Sequence, residues 1–208
     1  MSTSLVANVA HASNDGQLCQ NPLGLVVCGT VMVVEALRPR SWAERMEEAA
    51  RAGNVADLKL LVANHPASVD ALKLLTLAVG NYAADPAAPD QWLEMFAFLL
   101  ESGVDVADPR MVRMLETIAS KSVGTRRIDA LNLWFAKGVS ARGVSLASRT
   151  IGWGPEGPAV IRLLVQHGAD PNFRRPGQRS PVAEAMSSRD EATARLLVEL
   201  GADRPPGF

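Results

Sequence analysis

Hydrophobic residues recur along this chain in short groups at helical spacing, and a glycine or a polar turn follows each group. The clearest group lies at 158–170 and returns at 191–203, thirty-three positions later, with eight of thirteen residues identical. Each copy carries two adjacent leucines and a third position one turn further on, which places them on one side of a helix. Gly168 and Gly201 then stand where a helix ends, because glycine adopts positive φ without strain. The pattern predicts two copies of one helical unit.

Polar residues predict where several helices begin. Residues 41–44 form a capping box, Ser-x-x-Glu, ahead of an alanine-rich group. Gly53 is predicted to end that helix, and Asn54 to cap the next one. Asp90 is predicted to cap a later helix, and residues 188–191 are predicted to form a second capping box.

Five helical units follow when the apolar groups are aligned. The aligned positions lie 38, 35, 30 and 33 residues apart, and they are Leu60, Phe98, Leu133, Leu163 and Leu196. Units of this size cannot bury their own apolar faces and must stack on their neighbours. The sequence therefore predicts an all-α fold, a solenoid of about five helical hairpins over residues 41–203. Trp92 and Trp134 fall at helical positions and are predicted to lie in the core.

The lengths of the connections predict one full hairpin finger, at 171–179, between the fourth and fifth units. The connections at 103–109 and 138–144 leave little room for a finger. The fourth unit is predicted to open with a short helix at 145–150. Glycines and prolines make 152–158 an irregular loop with Trp153 at its tip.

The order of the elements in each unit resembles the ankyrin repeat: a helix, a tight turn, a second helix, Gly-Ala-Asp and a polar finger. Residues 180–182, Ser-Pro-Val, with Ala185 are similar to the Thr-Pro-Leu-His-x-Ala opening of that repeat. Ala183 stands where the family has histidine, so the family's hydroxyl–imidazole hydrogen bond cannot form. The resemblance is strong for 144–203 and divergent for 41–143. It implies a non-enzymatic protein that binds a partner through its finger tips and the concave face of its first helices.

The first 40 residues stand apart from the units. Residues 1–17 are small and polar without a helical or strand period, which predicts disorder. An apolar run at 23–34 is too short to cross a bilayer, which needs about 20 residues. Three interpretations of this run stay open: a cap on the first unit, residues ahead of a native start at Met32, or a membrane-associated or export segment. Residues 204–208 are predicted to be a frayed tail.

Composition narrows the function classes. A formal net charge of -1 argues against a general polyanion binder, so we expect no nucleic-acid partner. Cys19 and Cys28 both precede the units, which favours a reduced, cytoplasmic protein and leaves an envelope or secreted location open. Arginine outnumbers lysine 17 to 4, as in proteins of GC-rich bacterial genomes. We expect a monomer without stable membrane insertion.

Candidates for catalysis and metal binding are few. The chain has three histidines, and it contains no Gly-rich phosphate loop, nucleophile elbow or metal-ligand spacing. His65 and His167 stand in matching turns and are predicted to be structural. We therefore expect no enzyme activity, no catalytic residue, no metal and no cofactor.

Charge divides the chain into an acidic part and a basic part. Residues 40–108 carry five basic against eleven acidic side chains, and residues 137–179 carry seven against two. The basic part can steer an acidic partner onto the finger, whose arginines suit carboxylates or phosphates and whose Phe173 offers an apolar anchor. The predicted partner-binding residues are Phe173, Arg174, Arg175, Gln178, Arg179, Trp153 and Arg149. The alternative is a solvated turn whose arginines serve only solubility.

Two other functions stay open beside a protein-binding module. One is a small enzyme or ligand-binding protein that uses the loops at 81–90 and 152–158 as pocket walls. The other is a binding protein that acts outside its own cytoplasm, as an exported protein or an effector. That alternative depends on the first 40 residues.

Overall fold

A computed structural model describes residues 40–84, 90–120, 127–147, 151 and 154–205, and from Ser41 onward the chain forms one compact unit. These residues contain nine α-helices, one turn of 3-10 helix at Pro66–Ser68 and no strand, which confirms the predicted all-α class. The helices are α1 (Trp42–Ala52), α2 (Val55–Asn64), α3 (Ala71–Ala84), α4 (Gln91–Glu101), α5 (Arg110–Ala119), α6 (Arg127–Ala136), α7 (Gly157–Gln166), α8 (Pro181–Ser187) and α9 (Glu191–Glu199). The expectations for residues 1–39 and 206–208 lie outside the described residues.

Consecutive helices pack as pairs, and neighbouring pairs pack against each other. The described pairs are α1 with α2, α3 with α4, α5 with α6, and α8 with α9. We call the two members of each pair its first and its second helix. Successive first helices contact each other in the order α1, α3 and α5. Successive second helices contact each other in the order α2, α4, α6, α7 and α9. Apolar side chains between the helices form one continuous core. The identity of these pairs as ankyrin repeats stays a prediction.

The first helix begins and ends where the sequence predicts. The backbone N–H of Glu44 donates to Ser41 Oγ at 3.2 Å, and the backbone N–H of Ser41 donates to the Glu44 carboxylate at 2.6 Å, which completes the capping box. Gly53 takes a φ of 68° and ends α1. Asn54 begins α2, because its side-chain oxygen accepts from the backbone N–H of Asp57 at 3.1 Å. Both predicted boundaries are confirmed.

The second predicted capping box, at 188–191, is wrong. Ser188 still belongs to the end of α8, where its hydroxyl donates to the carbonyl of Glu184 at 2.9 Å. Asp190 caps α9 instead, and its carboxylate accepts from the backbone N–H of Thr193 at 3.0 Å. The carboxylate lies closer along the chain to the free N–H groups of α9 than the Ser188 hydroxyl does, so it takes the capping role.

Two further predictions of local structure are wrong. Asp90 precedes α4 but keeps helical backbone angles and makes no side-chain capping bond, whereas a capping residue normally has non-helical angles. The helix predicted at 145–150 does not form at 145–147, which lie in a turn, and 148–150 lie outside the described residues. The backbone N–H of Ser145 donates instead to the carboxylate of Glu116 at 2.8 Å. This bond ties the turn to α5.

The predicted finger at 171–179 is built from turns and not from paired strands. The backbone N–H of Phe173 donates to the carbonyl of Asp170, and that of Gln178 donates to the carbonyl of Arg175, each at 3.0 Å. Gly177, which lies between Arg175 and Gln178, takes a φ of 78°. The segment is therefore a double turn whose shape depends on its side-chain contacts.

An aromatic column crosses three helices in the core. The ring of Phe96 on α4 packs edge-on against Tyr82 of α3 at a centroid distance of 5.2 Å and against Trp134 of α6 at 5.8 Å. All three side chains are fully buried, and Trp92 is 4% exposed. The predicted core positions of Trp92 and Trp134 are confirmed.

Both histidines in the described part stack on aromatic rings. His65 lies against Trp42 at a ring-centroid distance of 3.7 Å, and His167 lies against Phe135 at 3.9 Å. His65 directly follows α2 and contacts a ring on α1, and His167 directly follows α7 and contacts a ring on α6. This geometry supports the structural role that the sequence predicts for these histidines.

Ion pairs join neighbouring helices at the surface and give the fold a pH dependence. A hydrogen bond from Lys73 lowers the pKa of Glu47 below its ordinary value of 4.5, and one from Lys137 does the same for Glu101. A carboxyl whose pKa is lower in the folded state stabilises the fold above its unfolded pKa, and this contribution is lost as the pH falls through the folded value.

We expect the melting temperature to stay level from pH 7 to about 5.5 and to fall below pH 4.5. Circular dichroism melts between pH 7 and pH 3 measure the profile. The Glu47→Gln/Glu101→Gln variant should melt lower at pH 7 and lose less on acidification. A melting temperature that rises as the pH falls below 4.5 would contradict the assignment.

Candidate functional site

Four turns follow the second helices, and together they form a surface that we call the turn row. They are turn 65–70 after α2, turn 102–109 after α4, turn 137–147 after α6 and turn 167–180 after α7. Turns 65–70, 102–109 and 167–180 lead directly into α3, α5 and α8. The predicted finger is part of turn 167–180.

Turn 137–147 lies directly beside turn 167–180. The backbone N–H of Ala141 donates to the carbonyl of His167 at 3.0 Å. Gly168 has a φ of 101°, and a Cβ at this position would lie 3.5 Å from Ser140 Oγ. The two backbones approach closely where α7 ends, and glycine suits both the backbone angle and the space.

Contacts also connect the earlier turns of the row. A hydrogen bond to Asp108 raises the pKa of Arg110, and the charge of Asp70 adds a smaller effect in the same direction, so Asp70 of turn 65–70 interacts with the first residue of α5. A Cβ at Gly143 would lie 3.9 Å from the methyl carbons of Val112, in the first turn of α5. The order of the turns in space therefore follows their order in the chain.

A polar cluster fixes the conformation of turn 167–180. The carboxylate of Glu116 accepts from Arg175 Nη2 at 2.6 Å and from the backbone N–H of Ser145 at 2.8 Å. The side-chain oxygen of Gln178 accepts from Ser145 Oγ and from the backbone N–H of Arg175, each at 3.3 Å. The cluster joins α5, turn 137–147 and turn 167–180. The Glu116 side chain is 20% exposed and that of Arg175 is 41% exposed, so solvent screens this ion pair in part.

The predicted partner-binding residues separate into two groups. Arg175 and Gln178 belong to the polar cluster and bond within the protein. Arg174 and Arg179 are exposed, and neither forms an ion pair within the described part of the chain. Phe173 is half-buried. Trp153 and Arg149 lie outside the described residues.

The sequence did not predict Glu116 and Ser145 as part of this site. Glu116 is 59 residues from Arg175 and 29 from Ser145, so no local pattern connects them. Glu116 lies on the same α5 that buries Met111, Met114, Leu115 and Ile118. A partly enclosed acidic position next to an apolar stripe was the only available sign.

An open groove in the described residues is not lined by both loops of the alternative pocket. An open groove of about 530 Å³ lies between α7 and α9, lined by residues such as Pro158, Arg162 and Leu196. Both loop predictions are partly wrong: residues 81–84 belong to α3, and Pro158, which lines this groove, lies in the first turn of α7. Residues 85–89 and 152–153 lie outside the described residues. The groove thus gives no support to a pocket between the two loops.

A buried arginine secures the segment before α7. Arg127, the first residue of α6, is 2% exposed, and its Nε lies 3.3 Å from the Glu156 carboxylate. Its Nη1 donates to the carbonyl of Ala119 at 3.2 Å. These contacts connect the end of α5 and the start of α6 to the residue before α7.

No family model matches this chain, and a search of curated proteins finds no match either. Across the described residues, no helix has both the length and the apolar character needed to span a bilayer. The same residues contain no group of three or more His, Cys, Asp or Glu side chains that could bind a metal ion.

Proposed function

We propose that this protein is a non-enzymatic binding module that holds another protein against the turn row, with turn 167–180 as the main contact. The helix pairs would form an ankyrin-like solenoid. Contacts of first helices with first helices, and of second helices with second helices, support this proposal, because stacked repeats bury their apolar faces in this way.

The observation that carries the proposal is the contrast within turn 167–180. Arg175 and Gln178 bond within the protein and give the turn a fixed shape. Arg174 and Arg179 remain exposed on that shape without an ion pair in the described part of the chain. A pre-ordered turn loses less conformational entropy when a partner binds, so its free guanidinium groups can bind carboxylates efficiently. We propose an acidic protein surface as the partner and a monomer in the cytoplasm as the working form.

The test compares two charge-reversal variants in affinity capture with mass spectrometry. Arg174→Glu/Arg179→Glu should reduce recovery of the partner at least about tenfold, because acidic groups would then face each other. Arg51→Glu/Arg195→Glu makes the same change in net charge at exposed ion pairs elsewhere and should retain the partner. Melting curves of both variants check that the fold is intact. Equal recovery by wild type and the turn variant would refute the assignment of the surface.

A further inference from the structure

The charge of the turn row changes sign along its length. Turn 65–70 carries Asp70 and turn 102–109 carries Asp105 and Asp108, and neither turn contains lysine or arginine. Turn 137–147 has no acidic residue and carries Lys137 and Arg142. Turn 167–180 carries three arginines against one aspartate. The row is therefore acidic over its first two turns and basic over its last two.

The charges that face solvent follow the same division. Asp70 and Asp105 are exposed at the acidic end, where Asp108 pairs with Arg110. Arg142, Arg174 and Arg179 are exposed at the basic end, beside one exposed aspartate, Asp170. At an ionic strength of 0.1 M, charges interact over about 10 Å. Four neighbouring turns, at the roughly 10 Å spacing of packed helices, extend over about 30 Å. The two ends of the row would thus act on a bound segment as two separate electrostatic potentials, one negative and one positive.

We propose that the partner segment bound by the turn row carries its acidic residues at one end and its basic residues at the other. Its acidic end lies on turns 137–147 and 167–180, and its basic end lies on turns 65–70 and 102–109. This inference rests on the proposed function and specifies the partner's chemistry. A uniformly acidic segment would be repelled at Asp70 and Asp105, and an alternating one would gain no net attraction at either end.

Three labelled peptides of twelve residues test this, since about nine extended residues cover 30 Å. The block peptide has four Glu, a Gly-Ser-Gly-Ser spacer and four Lys. The second has the same composition with Glu and Lys alternating, and the third has Glu in place of every Lys. Fluorescence polarisation at low salt should show the block peptide binding at least about tenfold tighter than the alternating peptide and tighter than the acidic one.

One double variant at the acidic end provides the matched control. Asp70→Asn/Asp105→Asn removes two charges, while asparagine can still accept the backbone hydrogen bonds from Lys73 and Ala107. It should weaken the block peptide about fivefold and strengthen the acidic peptide. Equal affinity for block and alternating peptides, or the tightest binding by the acidic peptide, overturns the inference. If the acidic peptide still depends on Arg174 and Arg179, the proposed function survives. Absence of binding by all three peptides overturns the inference. The proposed function is then tested by the partner-capture experiment alone.

Discussion

Replacing Trp134 with alanine is expected to lower the free energy of unfolding by about 3–5 kcal/mol, the usual range for truncating a buried aromatic side chain. Trp134 is fully buried on α6 and packs edge-on against Phe96 of α4. Alanine would leave a cavity between two helix pairs and would remove one end of the aromatic column. Urea unfolding followed by far-ultraviolet circular dichroism measures the loss.

Trp134→Phe is the matched control for this cavity. The indole N–H of Trp134 is buried without a hydrogen-bond partner among the described residues, so phenylalanine removes an unsatisfied donor together with some volume. We expect this variant to lose about 1 kcal/mol, far less than the alanine variant. Equal losses for the two variants would show that the size of the cavity does not determine the cost.

Replacing Arg127 with alanine is expected to cost about 3–5 kcal/mol of unfolding free energy, because it leaves one partner of a buried ion pair without its counter-charge. The Glu156 oxygen that faces Arg127 Nε is itself enclosed. The bond from Arg127 to the Ala119 carbonyl would be lost in the same variant. Chemical denaturation at pH 7 measures the effect.

Arg110→Ala offers a direct comparison with Arg127→Ala. Arg110 is the first residue of α5, as Arg127 is of α6, and it also pairs with a carboxylate, that of Asp108 at 2.9 Å. Its side chain is 63% exposed, so water can replace the lost contact. The Arg110 variant should therefore remain much closer to the wild type in stability. If both variants unfold at the same urea concentration, burial is not what makes the Arg127 pair important.

Periodicity in the sequence predicts the helices well because it reports directly which side of each helix is buried. The two leucines at the centre of the repeated phrase, Leu164 and Leu197, are both fully buried. Leu60, aligned with the outer leucines of that phrase, is 63% exposed. The alignment gives the helical position correctly, but exposure also depends on which helices pack alongside, and spacing contains no information about them.

The candidate site was only partly predictable from the sequence. Glycines, prolines and arginines identify 171–179 as a basic turn. They do not show that Arg175 forms an ion pair while Arg174 and Arg179 form none in the described residues, because that division depends on Glu116 of a distant helix. Side chains with identical chemistry acquire different roles through a single tertiary contact.

The position of Glu116 also limits how far the helix pairs are interchangeable modules. Its carboxylate bonds to two later turns, one of which lies beyond α7. Excising the segment between α5 and turn 167–180, or transplanting the last helix pairs onto another scaffold, would separate Arg175 from that carboxylate. The graft would keep its helices and lose the geometry of its recognition turn.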